Sequence, residues 1–358
     1  MMFCTQPFNH IDIIVENDIV QLQPCNVWSS KKYSIDEYKS NIEDIRNKLL
    51  NEFHLGCSTC QKAEFNGARS RRQATNKFSI DNNLSLKKLQ SLGVHYGTLC
   101  NSKCMICSHH RSSAWVTDSE KLGYKVEEQY RFKKNLLPGV DIFFDNFDLS
   151  DLKYVEFHGG EPLIQSYPYD FLKKIKKLDQ LVVKFNTNLT VLPSNDLLHL
   201  LKKCKRVDFL LSIDDIEERY EILRYPANWQ TLLQNIQWLK TQNFRLMSFN
   251  VISSLNVYYI LDFYKWAVKN FASEVHSQFA VDKKILDISY LSKNAKEKTL
   301  KKIENMNGKI FQSIREKLHI NNSDHTEEVR KYIIELDRIR STNYPAVFKE
   351  WWEILNIK

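Results

Sequence analysis

The sequence predicts an α/β fold built on a parallel sheet, and three observations carry that prediction. Between residues 86 and 282, six short runs rich in β-branched and aromatic residues recur, amphipathic stretches of helical period separate them, and no Gly/Ser-rich or Pro-rich linker interrupts the alternation. Hydrophobic residues make up 43% of the 358, enough to bury a core.

Taken in order, the chain opens with two strands at 11–15 and 18–22 around the turn residues Glu16, Asn17 and Asp18. A helix over 35–50 follows, with Ile35, Tyr38, Ile42, Ile45 and Leu49 at three- and four-residue intervals. The six central strands are expected at 92–96, 153–158, 181–185, 206–213, 244–252 and 275–280, with apolar strand interiors. Helices are expected at 169–178, 194–204 and 229–241, the last with Leu232, Leu233, Ile236 and Leu239 on one face. Residues 283–358 are charged and helical in period, as over 294–317 and 326–340, with Trp351 and Trp352 placed to dock the last helix. The expected organisation is an N-terminal cysteine module over 1–85, an α/β core over 86–282 and a helical cap over 283–358.

Fifty-one Lys and Arg against 43 Asp and Glu leave +8, spread along the chain and without an aromatic-and-basic recognition motif, so nucleic acid is not an expected partner. No apolar run approaches the length of a membrane span, and Met1-Met2-Phe3-Cys4 lacks the pattern of a signal peptide; the expectation is a cytoplasmic protein without a membrane partner. Eight cysteines in a reducing compartment point to metal or redox chemistry rather than disulfides.

Three of them form Cys100-Asn101-Ser102-Lys103-Cys104-Met105-Ile106-Cys107. On a loop, this spacing lets three thiolates converge on one metal centre and leaves a further position open for chemistry. On spacing alone, a zinc site completed by His109 or His110 is the alternative. The next strand runs through His158 into Gly159-Gly160-Glu161-Pro162, where paired glycines let the backbone approach a bound molecule and Glu161 can accept a hydrogen bond from an ammonium group.

Cys-x3-Cys-x2-Cys after a first strand, with Gly-Gly-Glu-Pro after the second, resembles the radical S-adenosylmethionine superfamily over residues 86–282. The resemblance implies a partial (β/α)6 TIM-like barrel and a catalytic [4Fe-4S] cluster on Cys100, Cys104 and Cys107, with S-adenosylmethionine chelating the fourth iron. It implies that Gly159, Gly160 and Glu161 receive the methionine amino group and that Ile106 lies near the adenine. Asn186 and Asn188, at the end of the third strand, and Ser212 and Arg224, after the fourth, are the implied contacts to the cofactor's ribose and carboxylate. Helix capping by Asn188, Asp214 or Asp215 is the alternative use of those positions. The implied chemistry is reductive cleavage of the cofactor to a 5′-deoxyadenosyl radical, fed by an external donor such as flavodoxin or ferredoxin, and removal of a hydrogen atom from a substrate.

Cys4, Cys25, Cys57 and Cys60 make a plausible four-thiolate site that resembles the SPASM/twitch modules of such enzymes, here placed before the barrel. The stretch from Cys57 through Asn66, Gly67 and Ala68 to Gln73 carries the same resemblance, which implies a second [4Fe-4S] cluster; zinc suits four thiolates equally. The basic run Arg69, Arg71 and Arg72 reads as a solvated face or as a contact to an acidic group, and Cys204 as a buried structural thiol. The strands' His95 and His158 read as core or rim residues. The functional expectation is an oxidoreductase-like radical enzyme acting on a peptide or protein side chain. A small-molecule or carbohydrate oxidase or epimerase is the alternative within the superfamily, and a zinc-stabilised binding module the alternative outside it.

Overall fold

A computed structural model describes residues 3–65, 69–131, 137–271, 274–280 and 283–356; Met1, Met2, Asn66, Gly67, Ala68, Asp282 and Lys358 lie outside these. Among the described residues, eight strands run β1 (His10–Glu16), β2 (Ile19–Gln23), β3 (Ser91–Tyr96), β4 (Tyr154–His158), β5 (Val182–Thr187), β6 (Arg206–Ser212), β7 (Arg245–Ile252) and β8 (Val275–Phe279). They follow the order β2-β1-β3-β4-β5-β6-β7-β8, with helices in the crossovers of the last six, which is the α/β architecture of a partial TIM-like barrel. All six central strands lie where periodicity predicts them, within two residues at each end. Among the described residues no helix is long and apolar enough to cross a membrane.

The chain divides into two compact units, each assembled from separate segments. The first comprises Met1–Leu99, Gln129–Asn186 and Pro193–Asp208. In it β1 and β2 form an antiparallel hairpin whose turn places Asn17 at φ 53°, a left-handed conformation that asparagine tolerates. Strand β1 then pairs in parallel with β3, so the N-terminal hairpin extends the sheet. Register aligns Ile13 with Val94, Val94 with Phe157, and Phe157 with Phe185, an apolar row fully buried against the helix Tyr167–Lys174, whose Phe171 meets the Phe157 ring at 5.7 Å. Pro168 starts that helix two residues earlier than expected, since proline suits a first helical turn. The helix Ile35–Leu49 buries Tyr38, Ile42, Ile45 and Leu49 and begins at a capping box of Ser34 and Glu37.

The second unit comprises Cys100–Glu128, Thr187–Leu192 and Phe209–Lys358. Its helix Trp229–Thr241 has the predicted bounds, is capped by the Asn228 side chain and buries Trp229, Leu232, Ile236 and Leu239. The helical period over 294–317 resolves into two helices, Lys293–Lys302 and Lys309–Leu318, because Gly308 turns the chain at φ 118° between them. Thr326–Arg340 is one helix, as expected. The buried Trp351 docks the last helix by donating Nε1–H to the Ser254 carbonyl at 2.8 Å and stacking on Tyr258.

Candidate active site

In the second unit the Cys100–Cys107 loop is pinned along its length. Cys100 N–H donates to Ser113 Oγ at 3.2 Å, and Asn188 Nδ2 donates to Asn101 Oδ1 and Ser102 Oγ, both at 2.9 Å. Asn188 Oδ1 in turn accepts from Thr190, so the asparagine at the end of the third barrel strand orients the loop. The backbone N–H groups of Lys103 and Met105 donate to the carbonyls of Tyr225 and Leu223. Those carbonyls flank Arg224, whose Nε lies 2.7 Å from Asp214 Oδ2 and whose Nη1 lies 3.6 Å from Cys104 Sγ. Arg224 and Asp214 are both buried. Burial lowers the guanidinium's pKa, but the charges of Asp214 and Cys104 outweigh it and leave it raised. Burial pushes the Cys104 thiol up against the opposing pull of Arg224, and pushes Cys107 up to about 11, with the charge of Cys104 adding to the rise. Ile106 and Ser212 are half-buried.

The Gly-Gly-Glu-Pro turn belongs to the first unit. Gly159 and Gly160 have φ of 85° and 50°, and a Cβ on Gly160 would stand 2.0 Å from the Leu99 carbonyl oxygen. The Glu161 N–H donates to that same oxygen at 2.8 Å, while the Glu161 carboxylate accepts from Leu163 N–H. The glycines are therefore demanded by the protein's own backbone, which runs tightly against the segment leading into Cys100.

The strands of this unit also carry a polar face that the expectation of apolar interiors missed. Opposite the apolar row, register aligns Gly93 with Asp12 and with Glu156, His95 with His158, and Glu156 with Lys184. A Cβ at Gly93 would overlap Asp12 Oδ1, so the glycine makes room for the carboxylate. The His95 and His158 rings stack at 4.4 Å. Asp12 lies 3.2 Å from His10 Nε2 and 3.9 Å from His95 Nε2, and Glu156 lies 3.5 Å from His158 Nε2 and 2.7 Å from Lys184 Nζ. Asn186 Nδ2 donates to Glu156 and contacts His158 Nδ1. Burial raises both carboxyls, but facing groups hold them below the usual carboxylate range: His10 foremost for Asp12, and His158 and Lys184 for Glu156, which lies well below it. The sequence signal was available in the alternation of His10 and Asp12 with Ile11 and Ile13, but its meaning depended on register.

The other four cysteines all lie in the first unit. Gly56 admits the Trp28 ring, which stacks on His54 at 4.8 Å and brings the turn after Cys25 to the turn before Cys57. Arg72 donates to the Phe3 carbonyl and to Glu64, holding the segment of Cys4 to the helix that carries Cys60. Burial raises the thiols of Cys4 and Cys57, to about 12 and about 11; the charges of Cys57 and Cys60 add to the rise at Cys4, that of Cys60 to the rise at Cys57. Cys25 is raised by burial and feels the charges of Cys4 and Cys57. Arg72 is thus buried, whereas Arg69 and Arg71 are exposed. Cys204 is half-buried, with Sγ 3.5 Å from the Leu200 carbonyl.

Among the described residues no three His, Cys, Asp or Glu side chains are already gathered in a geometry that holds a metal. The donor chemistry nevertheless suits iron-sulfur ligation at the loop: three thiols on eight residues, two of them coupled by charge, beside a buried guanidinium. His109 Nδ1 is engaged with Ser119 Oγ at 2.9 Å.

No curated protein matches the chain. Among solved structures, histidine-tagged anSMEcpe with bound AdoMet aligns at 16% identity over 54% of this chain and 50% of that one, with a TM-score of 0.40. Streptococcus suis SuiB bound to S-adenosylmethionine aligns at 15% identity over 76% and 63%, TM-score 0.40, and SuiB bound to precursor peptide SuiA at 14% over 96% and 71%, TM-score 0.40. The chain spans half the length of the anSMEcpe structure it matches. Residues 94–267, which hold the Cys-x3-Cys-x2-Cys loop and the Gly-Gly-Glu-Pro turn, match the family model described as the Radical SAM superfamily.

Proposed function

We propose that the protein is a radical S-adenosylmethionine enzyme that removes a hydrogen atom from a peptide or protein substrate. The observation that carries this reading is the pinned three-cysteine loop inside the matched domain, with Arg224 between Asp214 and Cys104. Cys100, Cys104 and Cys107 would hold a [4Fe-4S] cluster. When bound, the cluster, reduced by the external donor, would supply one electron to the cofactor's sulfonium, whose C–S bond would break to release methionine and the 5′-deoxyadenosyl radical that abstracts the hydrogen atom.

The chain's own groups bind and orient. Asn188 and Arg224 hold the loop that presents the thiolates, and Arg224 offers them a positive charge. Gly159, Gly160 and Glu161 set the turn assigned to the cofactor's amino group, with Ile106, Asn186 and Ser212 as further cofactor contacts. The side chains of Asp12, His95, Glu156 and His158 give one face of the sheet groups able to bind a polar substrate. Cys4, Cys25, Cys57 and Cys60 support a second metal centre, and the auxiliary-cluster enzymes that the sequence resembles include those acting on peptides. An external one-electron donor is the required partner.

Anaerobic reconstitution tests the reading. About eight irons per chain, as two four-iron clusters need, with 5′-deoxyadenosine formed from S-adenosylmethionine under dithionite, is the expected result. A colourless protein that takes up zinc and leaves the cofactor intact overturns it.

A further inference from the structure

The carbonyl groups of the cysteine loop are held as well as its N–H groups, and two of the donors come from far along the chain within the second unit. Trp115 Nε1–H donates to the Cys104 carbonyl at 2.9 Å. The Tyr332 hydroxyl donates to the Met105 carbonyl at 2.5 Å, from 227 residues away. Lys283 Nζ donates to the Cys107 carbonyl at 3.2 Å, from 176 residues away, and lies 3.4 Å from the Tyr332 hydroxyl. The same ammonium lies over the faces of Trp115 and Tyr332, at 5.1 and 4.9 Å from their centroids. The Arg340 guanidinium also lies over the Trp115 ring, its Nε meets the buried Asp118 at 2.8 Å, and Asp118 also takes Lys103. Two aromatic rings, a carbonyl and a phenol oxygen thus fix one ammonium beside the last cysteine of the triplet. In surroundings drier than water its field on the sulfurs is strong.

From this juxtaposition we infer that Lys283 and Tyr332 are positioning residues that set the reduction potential of the cluster on Cys100, Cys104 and Cys107. The helical segment after residue 283 is, in this reading, part of the redox centre rather than a cover over it. A reduced cluster carries one more negative charge than an oxidised one. A fixed cation and hydrogen-bonded loop dipoles therefore favour reduction and raise the potential. The inference rests on the cluster assignment under Proposed function.

The experiment is an anaerobic, EPR-monitored redox titration of the reconstituted full chain without S-adenosylmethionine, alongside its iron content. Lys283→Met is expected to keep the wild-type iron and shift the midpoint to more negative potential, and Lys283→Arg, which keeps the charge, to restore it. Tyr332→Phe, which keeps the ring and removes the donor to Met105, is the second variant should Lys283→Met fail to fold, and is expected to shift the midpoint in the same direction. Unchanged midpoints in Lys283→Met and Tyr332→Phe overturn the inference, as does a shift in Lys283→Arg equal to that in Lys283→Met. A wild-type chain that takes up no iron defeats the cluster assignment itself, an outcome distinct from a cluster whose potential ignores Lys283.

Discussion

Cys100, Cys104 and Cys107 lie on a single loop of the second unit, whereas Cys4, Cys25, Cys57 and Cys60 of the first unit come from three separate stretches of chain, with Cys4 and Cys60 buried and Cys25 and Cys57 half-buried. The triplet is held by partners outside itself: Asn188, Ser113, the carbonyls around Arg224, and donors from the C-terminal helices. The quartet is held by its surroundings, through Trp28 packed on Gly56 and Arg72 tied to Glu64 and Phe3. A buried guanidinium sits close to Cys104; at the quartet, Arg72 lowers Cys4 and Cys57 only slightly against burial. The triplet is thus held by charge and by hydrogen bonds from distant partners, and the quartet mainly by packing and one ion pair.

The largest effect that can break this comparison is on activity. Cys104→Ala is expected to abolish reductive cleavage of S-adenosylmethionine, while Cys57→Ala leaves it measurable. Product 5′-deoxyadenosine, quantified by chromatography, checks this, and equal loss in both would merge the two sites into one. Next comes Gly160→Ala, which forces a Cβ onto the Leu99 carbonyl at a left-handed φ. Strain of that kind costs at least about 1–2 kcal/mol from the backbone alone, with the overlap added, and a lowered urea midpoint should report it. Arg224→Met leaves Asp214 buried without its cation, at a cost of about 3–5 kcal/mol. Arg72→Met should cost less, about 1–3 kcal/mol, because Glu64 keeps access to water. Equal urea midpoints for the two would show that the guanidiniums do equivalent work.

A pH series isolates Asp215. Burial pushes the Asp215 carboxyl up to about 7 despite Arg219. The folded state then holds a proton that the unfolded chain releases near pH 4, so this group's contribution declines as pH rises from about 4 to about 7. Asp215→Asn should flatten that decline in thermal midpoint, and a wild-type profile with no decline over this range would contradict the assignment. Smallest is Ser112→Ala, which deletes the hydroxyl bonded to the Ser102 carbonyl at 2.8 Å and should cost about 1 kcal/mol.

What could be read from the sequence was local. Six strands, the Trp229–Thr241 helix and the Cys100–Cys107 loop announce themselves by period or spacing within a dozen residues. The grips on that loop do not, because Tyr332 and Lys283 are ordinary residues until folding brings them across 227 and 176 positions. The polar row of Asp12, His95, Glu156 and His158 was hidden for a related reason: each residue alternates visibly on its own strand, but only inter-strand register makes them neighbours. Gly308 is the opposite case, a single residue visible in the sequence that divides a stretch of helical period into two helices.

The distance between the loop and its donors also imposes an order in time. Chains are made from the N-terminus, so the three cysteines leave the ribosome well before Lys283, Tyr332 and Arg340 exist. A half-made chain therefore displays the thiols with their carbonyl neighbours still bonded to water. Only after residue 340 has emerged does the loop gain its full set of partners. A chain cut short before residue 283 would therefore lack the donors to the Met105 and Cys107 carbonyls and could not hold the loop in its final form.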